Sequence, residues 1–258
     1  MQVESDADPG WVGALAGVSD ETARTALEEA ADQSRLFRHL QRQHAKEGRR
    51  SYIEIDAPLE LHAIARLLRP RHALEVGVSS GVSSAYLLNA LKMNGRGTLH
   101  SVDLPSFPRA PKRGKSPTTF SWTLPEGRDS GWAIPGWLRT RWDLRLGDKA
   151  EVVPRVAEEF PGFELVLYDV PHDDRKLRGE FRPLAPRLMP GGAVIVDHGP
   201  GGGLCPALAS WARSVGARPV RRAGLGLYGF RSPPRRNSPR TSRAGTQRRT
   251  SLAGRGAL

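Results

Sequence analysis

Short apolar runs alternate with stretches of helical spacing between residues 73 and 196, and this alternation constrains the fold most. The apolar runs are residues 73–76, 98–102, 142–146, 165–168 and 193–196. The helical stretches between them are residues 82–93, 150–160 and 175–188. Strands alternating with helices of this length favour an α/β fold with a mostly parallel sheet and helices on both faces. Residues 218–222 and 225–230 add two strands that predict a C-terminal antiparallel hairpin around Gly224, which makes seven strands.

The chain divides into three parts by composition and spacing. Residues 1–50 form an N-terminal helical extension, in which the helical pattern of 20–47 slips in phase near Ser34. Residues 51–230 form the main domain, which includes a long, proline-rich loop over 104–136. The main domain opens with a helix that Asp56 could cap and Pro70 would end. Residues 231–258 contain eight Arg and no aromatic residue, which predicts a disordered tail.

Charge and cysteine content exclude several classes of protein. The net charge is +12, but without the tail it falls to +4, so the basic character gives no evidence that the main domain binds a polyanion. We therefore expect nucleic-acid contact only through the tail. The single cysteine, Cys205, excludes an intramolecular disulfide, and no apolar run is long enough to cross a membrane. The first ten residues lack a secretory pattern, so we expect a cytoplasmic protein.

A glycine loop follows the first apolar run and precedes a helix. Gly77 and Gly81 let the backbone bend and approach a ligand. A dinucleotide fingerprint would need glycine where Ser79 and Val82 stand, so an NAD(P)-dependent oxidoreductase is disfavoured. Glu75 adds a negative charge, which suits a cationic or amino-bearing ligand. The glycines could also form only a tight turn.

Five motifs in order resemble class I S-adenosylmethionine (SAM) dependent methyltransferases. They are Glu75-Val76-Gly77 with Gly81, residues 97–103, residues 131–135, residues 142–148 and the Pro190-Gly191-Gly192 turn. The resemblance covers about residues 50–230 and is greatest to a bacterial branch that includes small-molecule O-methyltransferases. It implies a Rossmann-like fold, SAM as cofactor, and methyl transfer to a hydroxyl of a small molecule such as a sugar or secondary metabolite.

The resemblance also implies which residues bind the cofactor. These are Glu75, Gly77, Ser79, Gly81, Ser83, Ser84, Asp103, Asp148 and Asp169. Glu75 and the glycine loop would hold the methionine end of SAM, and Asp103 would accept hydrogen bonds from the ribose hydroxyls. Asp148 would lie near the adenine, and Asp169 would face the methyl-transfer region. Asp103 could instead cap a turn, and Asp148 could be a helix N-cap.

The chemistry is expected after the fourth and fifth strands. His172 is the candidate general base, because imidazole titrates near neutrality. Asp169 is the second candidate catalytic residue. In the resembling branch an aromatic residue commonly stands at position 174, where this chain has aspartate. Asp169, Asp197 and His198 match the positions that hold a divalent cation in some of these enzymes, so magnesium or manganese is a candidate cofactor. Turn hydrogen bonds are the alternative role for Asp197 and His198.

Two other functions are compatible with the sequence. The protein could be a non-catalytic SAM-fold binding protein, or a nucleic-acid-associated protein acting through its basic tail. The methyl acceptor, the metal dependence and any homo-oligomer are left undetermined by the sequence.

Overall fold

The computed structural model describes residues 7–46, 57–104, 124, 127–170, 174–198 and 203–234. Eight α-helices lie in these residues: α1 Pro9–Ala16, α2 Asp20–Ala31, α3 Ser34–Lys46, α4 Pro58–Leu68, α5 Val82–Met93, α6 Lys149–Glu159, α7 Asp174–Phe181 and α8 Pro206–Ser214. Seven strands lie there too: β1 His72–Val76, β2 Thr98–Asp103, β3 Trp142–Leu146, β4 Phe163–Tyr168, β5 Leu188–Asp197, β6 Val220–Arg221 and β7 Leu227–Arg231. Two short 3-10 helices cover Gly136–Arg141 and Ala185–Arg187.

The strands form one seven-stranded sheet in the order β3-β2-β1-β4-β5-β7-β6. The first five strands are parallel, whereas β7 runs antiparallel to both β5 and β6. The predicted mostly parallel sheet with a C-terminal antiparallel hairpin is therefore confirmed. The hairpin turns at Gly224, whose φ of +80° suits glycine.

Helices cover both faces of the sheet, as predicted, because apolar side chains alternate in direction along each strand. Leu99, Leu165 and Leu167 pack on the side of α1 to α5. Leu74 and Val166, from β1 and β4, pack on the side of α6 to α8. Burial on both faces explains why these strands read as nearly continuous apolar runs in the sequence.

The N-terminal helices pack on the sheet and do not stand apart from it. The break between α2 and α3 falls at Gln33, next to the predicted phase slip. The sequence reading missed α1, although Asp8 caps it by accepting from the Trp11 N–H at 3.0 Å and Pro9 begins it. Asp8 and Pro9 are an N-terminal helix signal that the two glycines of this short helix obscured.

Other boundaries differ from the sequence reading for identifiable reasons. The helix predicted over 175–188 ends at Phe181, because Pro183 and Pro186 cannot continue it, and a 3-10 turn follows. The strand predicted over 193–196 is longer and covers Leu188–Asp197. Its register against β4 shifts between Phe163 and Leu165, in the part of the strand that contains the Pro190-Gly191-Gly192 segment, which was expected to be a turn.

Some predictions fall outside the described residues. These are the cap at Asp56, the general base His172, residues 105–123 and 125–126 of the long loop, and residues 235–258 of the tail. Among the helices that the structure describes, none is both long and apolar enough to cross a membrane.

Candidate active site at the carboxyl edge of the sheet

The parallel register brings the predicted site residues into one row. Val76 pairs with Val102 on one side and with Tyr168 on the other, and Tyr168 pairs with Val196. The residues that follow are Gly77, Asp103, Asp169 and Asp197, at the carboxyl ends of β1, β2, β4 and β5. Ligands of open parallel sheets bind at this edge, where the strand order reverses between β1 and β4.

Backbone hydrogen bonds hold the row together. The Gly77 N–H donates to the Val102 carbonyl at 2.9 Å, and the Asp169 N–H donates to the Val76 carbonyl at 2.8 Å. The Gly147 N–H, just before Asp148, donates to the Asp103 carbonyl at 2.9 Å. The separate motifs of the sequence are thus joined strand to strand at one edge.

The glycine loop needs both of its glycines. Gly77 has a φ of +96°, and a Cβ there would overlap the Asp169 carbonyl oxygen. Gly81 has a φ of +89°, and a Cβ there would lie 2.5 Å from the Ile134 side chain. Both the turn and the close approach require glycine, so the structural role that the sequence left open is real. It does not exclude ligand binding at the same loop.

Asp103 fixes the middle of this loop. Its Oδ2 accepts from the Ser79 N–H at 3.0 Å, and its Oδ1 accepts from the Leu104 N–H at 2.9 Å. Ser79 holds a φ of +48°, an uncommon conformation for a residue with a side chain. The bond to Leu104 lies where the alternative interpretation placed a turn cap, and the residues from 105 onward, where that turn would lie, are outside the described residues. A carboxylate has lone pairs left for further donors.

Glu75 is fully buried and accepts three hydroxyl hydrogen bonds. Ser83 and Ser84 each donate at 2.6 Å from the start of α5, and Ser101 donates at 2.7 Å from β2. Burial raises the pKa of Glu75 to about 7, and the three hydrogen bonds oppose that rise by favouring the carboxylate. The assignments of Glu75, Ser83 and Ser84 to the cofactor stay predictions, and the structure adds an internal role for all three.

Asp148 is the N-cap of α6. Its Oδ1 accepts from the Ala150 N–H at 2.8 Å, so the capping role predicted as an alternative is confirmed. A capping oxygen satisfies a helix N–H that lacks a partner in the helix. The predicted position of Asp148 near an adenine stays a prediction.

The predicted metal ligands lie on adjacent strands but do not form a recognisable metal group. Asp169 and Asp197 end β4 and β5, and the His198 N–H donates to the Gly226 carbonyl at 3.0 Å. Within residues 7–46, 57–104, 124, 127–170, 174–198 and 203–234, no group of three or more His, Cys, Asp or Glu is arranged to hold a metal ion. The metal site therefore stays a prediction.

Sequence reasoning missed two residues of this region. Ser101 pairs with Glu75 in the β1–β2 register, and it also accepts from the Trp142 indole N–H at 2.9 Å. His44 on α3 hydrogen-bonds the Ser80 hydroxyl at 3.1 Å. A sequence signal existed for His44, since it continues the buried stripe of Leu36 and Leu40 at four-residue spacing.

Comparison with known proteins finds a family match in the central part of the chain. Residues 74–198 match a family model described as a methyltransferase domain. The matched region is similar to methyltransferase domains. The match confirms the resemblance to class I SAM-dependent methyltransferases found in the sequence motifs. The domain begins in β1 and ends just after β5, so it contains the whole row of carboxyl-edge residues.

One curated relative and two solved structures illustrate the similarity. A Mycobacteroides abscessus protein named "Putative O-methyltransferase" is 31% identical over 146 residues, 55% of this chain and 56% of the relative. The chain thus spans little more than half of that relative's length. The O-methyltransferase TomG of Streptomyces achromogenes, solved with SAM, gives a TM-score of 0.49 at 17% identity, covering 77% of this chain and 89% of TomG. A Bacillus cereus O-methyltransferase, solved with S-adenosylhomocysteine (SAH), gives a TM-score of 0.48 at 14% identity. This match covers 76% of this chain and 89% of the Bacillus cereus chain.

Proposed function

We propose that this protein binds SAM at the carboxyl edge of β1 to β4 and transfers its methyl group to a hydroxyl of a small molecule. The observation that carries the proposal is the single row formed by Gly77, Asp103 and Asp169 within the methyltransferase domain. The name of the curated relative supports oxygen as the acceptor atom. A sugar or a secondary metabolite is the acceptor class that the sequence resemblance implies.

The donor chemistry of the row fits SAM. Asp103 is an ionisable carboxylate at the end of β2, half-exposed, with lone pairs beyond its two backbone bonds for the two ribose hydroxyls. The loop around Ser79 and Gly81 lies next to it and would hold the methionine part. Asp148, already fixed at the N-terminus of α6, would lie on the adenine side.

In this mechanism the chain positions the acceptor and handles its proton. SAM supplies an electrophilic methyl group, and the oxygen nucleophile must approach in line with the bond that breaks. Asp169, at the end of β4, would face the transfer region and orient the acceptor hydroxyl. His172, three residues later and outside the described residues, would take the proton.

Calorimetry with SAM on the full chain tests the proposal. Asp103→Ala should weaken binding at least about tenfold, since the ribose hydroxyls lose a carboxylate acceptor. Asp32→Ala, at an exposed aspartate after α2, is the matched control and should leave the affinity unchanged. Equal SAM affinity in Asp103→Ala and the unaltered chain would contradict the ribose assignment.

His172→Ala and added chelator test the chemistry separately. His172→Ala should keep SAM binding and slow methyl transfer to a screened hydroxyl acceptor by about 100-fold or more. If a divalent cation takes part, chelator should abolish turnover and magnesium or manganese should restore it. Turnover that resists chelation would remove Asp169, Asp197 and His198 as metal ligands while leaving the methyltransferase proposal intact.

A further inference from the structure

Helix α3 lies outside the methyltransferase domain in sequence yet contacts its glycine loop. The domain match starts at residue 74, whereas α3 is Ser34–Lys46. His44 is 5% exposed and sits in the last turn of α3, where its imidazole contacts Ser80 between the two loop glycines. A buried imidazole at this place needs partners for both of its ring nitrogens.

The hydrogen bonds of His44 indicate which ring nitrogen carries the proton in the neutral imidazole. Nδ1 lies 2.9 Å from the Leu40 carbonyl, which can only accept, so the proton of the neutral ring is on Nδ1. Nε2 is then the acceptor, and the Ser80 hydroxyl donates to it at 3.1 Å. The backbone of α3 thereby fixes the ring, and the ring fixes the orientation of Ser80.

Ser79 and Ser80 of the glycine loop are also held by the segment over residues 131–133. The Ser79 carbonyl accepts from the Gly131 N–H at 2.7 Å, and the Ser80 carbonyl accepts from the Ala133 N–H at 3.0 Å. Trp132, between these two donors, packs its ring against His44 with centroids 5.1 Å apart. The segment over 131–133 and helix α3 therefore clamp the loop together.

The two contacts hold the loop next to Ser79, whose backbone conformation is unfavourable for a residue with a side chain. Ser79 holds a positive φ and gives its N–H to Asp103, the residue proposed to bind the ribose. A conformation that is uncommon for serine persists only when its surroundings enforce it. Without the bond from Ser80 to His44, one of these restraints is lost next to Ser79.

We propose that His44 is a positioning residue for the cofactor site, which makes the N-terminal helical extension part of that site. This inference rests on the proposed function, since it takes the loop between Gly77 and Gly81 as the SAM cradle. His44 acts through Ser80 and does not itself touch the cofactor. The extension thus preorganises the loop before the cofactor arrives.

A double-mutant cycle on the full chain tests the inference, with S-adenosylhomocysteine (SAH) as the probe. His44→Ala and Ser80→Ala should each weaken SAH binding about tenfold in calorimetry. The double variant should bind no more weakly than either single variant, because both remove the same restraint. Gln41→Ala, at an exposed polar residue of α3, is the control and should bind like the unaltered chain.

Two further measurements separate positioning from general destabilisation. His44→Gln offers an amide oxygen to the Ser80 hydroxyl and should recover most of the SAH affinity, which a loss of packing alone would not predict. Hydrogen exchange without ligand should become faster at the amides of residues 79–81 in His44→Ala, with core strand amides unchanged.

The outcomes distinguish the two proposals. SAH binding by the unaltered chain with unchanged affinity in His44→Ala overturns the positioning role and spares the proposed function. Additive losses in the double variant overturn it as well, since they show that the two residues act independently. Absence of SAH binding by the unaltered, folded chain overturns the proposed function and this inference together.

Discussion

Ser101 lies directly opposite Glu75 in the parallel β1–β2 pair, and its hydroxyl donates to the Glu75 carboxylate at 2.7 Å. The same hydroxyl accepts from the Trp142 indole N–H, so a polar chain crosses three neighbouring strands inside the core. Ser83 and Ser84 complete it from α5. A buried carboxylate is tolerated here because three donors surround it.

The first prediction concerns the pH dependence of stability. Burial raises the pKa of Glu75 from its ordinary 4.5 to about 7, so the folded protein binds more protons than the unfolded chain between these values. The contribution of Glu75 to the free energy of unfolding is therefore full below pH 4.5 and decreases as pH rises to 7, by up to about 3 kcal/mol.

Glu75→Gln should remove this decrease, because glutamine does not titrate. Denaturant unfolding at intervals from pH 4 to pH 8 measures it, and Glu158→Gln, at an exposed glutamate of α6, is the control. A pH profile of Glu75→Gln that parallels the unaltered chain would show that Glu75 is not the group responsible.

The second prediction concerns the glycine loop. Gly77→Ala should destabilise the fold by more than about 3 kcal/mol, since its Cβ would overlap the Asp169 carbonyl at a φ of +96°. Gly179→Ala is the control, because nothing surrounds this position inside α7, and it should stabilise by roughly 0.5–1 kcal/mol. Thermal melts compare the two, and a Gly77→Ala protein as stable as the unaltered chain would refute the geometry of the loop.

The third prediction separates two roles of Asp148. Asp148→Ala should cost about 1 kcal/mol of stability through the lost N-cap, whereas Asp148→Ser retains a capping oxygen and should cost little. If Asp148 also lies beside the adenine, both variants should bind SAM more weakly. Unfolding curves and calorimetry on the same samples make the test, and normal SAM affinity in Asp148→Ser would leave capping as the only role.

The fourth prediction concerns a buried ion pair that joins α4 to the end of β6. Arg222 Nε donates to Glu60 Oε1 at 2.6 Å, and the two side chains are 8% and 1% exposed. Arg222→Ala should destabilise by about 3–5 kcal/mol, because it leaves the buried Glu60 carboxylate without its charged partner, although the Asp8 N–H still donates to it.

Replacing both residues by apolar ones of similar size tests this explanation. Glu60→Leu combined with Arg222→Met should cost clearly less than Arg222→Ala alone, as neither charge is then buried. Chemical denaturation gives both values. A double variant that is less stable than Arg222→Ala would show that the pair contributes more than charge compensation.

Much of the fold could be predicted because its signals are local. Residues 142–146 and 82–93 coincide with β3 and α5, since the periodicity of buried residues reports strands and helices directly. The glycines at positions 77 and 81 marked the loop because positive φ restricts the residue type. The β5 start and the α7 end were misjudged, because packing and proline decide such boundaries more than propensity does.

The site could be predicted only as a set of residues and not as an arrangement. The family resemblance implied Asp103 and Asp169 as site residues, and each ends an apolar run, but their place in one row depends on strand order and register. Glu75 looked like a ligand-binding carboxylate, because the sequence does not reveal that Ser101 faces it from the neighbouring strand. Nor does it reveal that His44, 36 residues before Ser80, contacts the loop.

The sequence by itself determined the class of fold and the strand-to-helix loop and indicated the carboxylates at the strand ends, because periodicity, glycine and acidic strand ends are properties of short segments. Only the tertiary structure decided which side chains meet. The burial of Glu75 among three serines and the contact of α3 with the glycine loop arise from long-range packing. Such contacts join segments distant along the chain, and their geometry is set by the whole sheet and its helices.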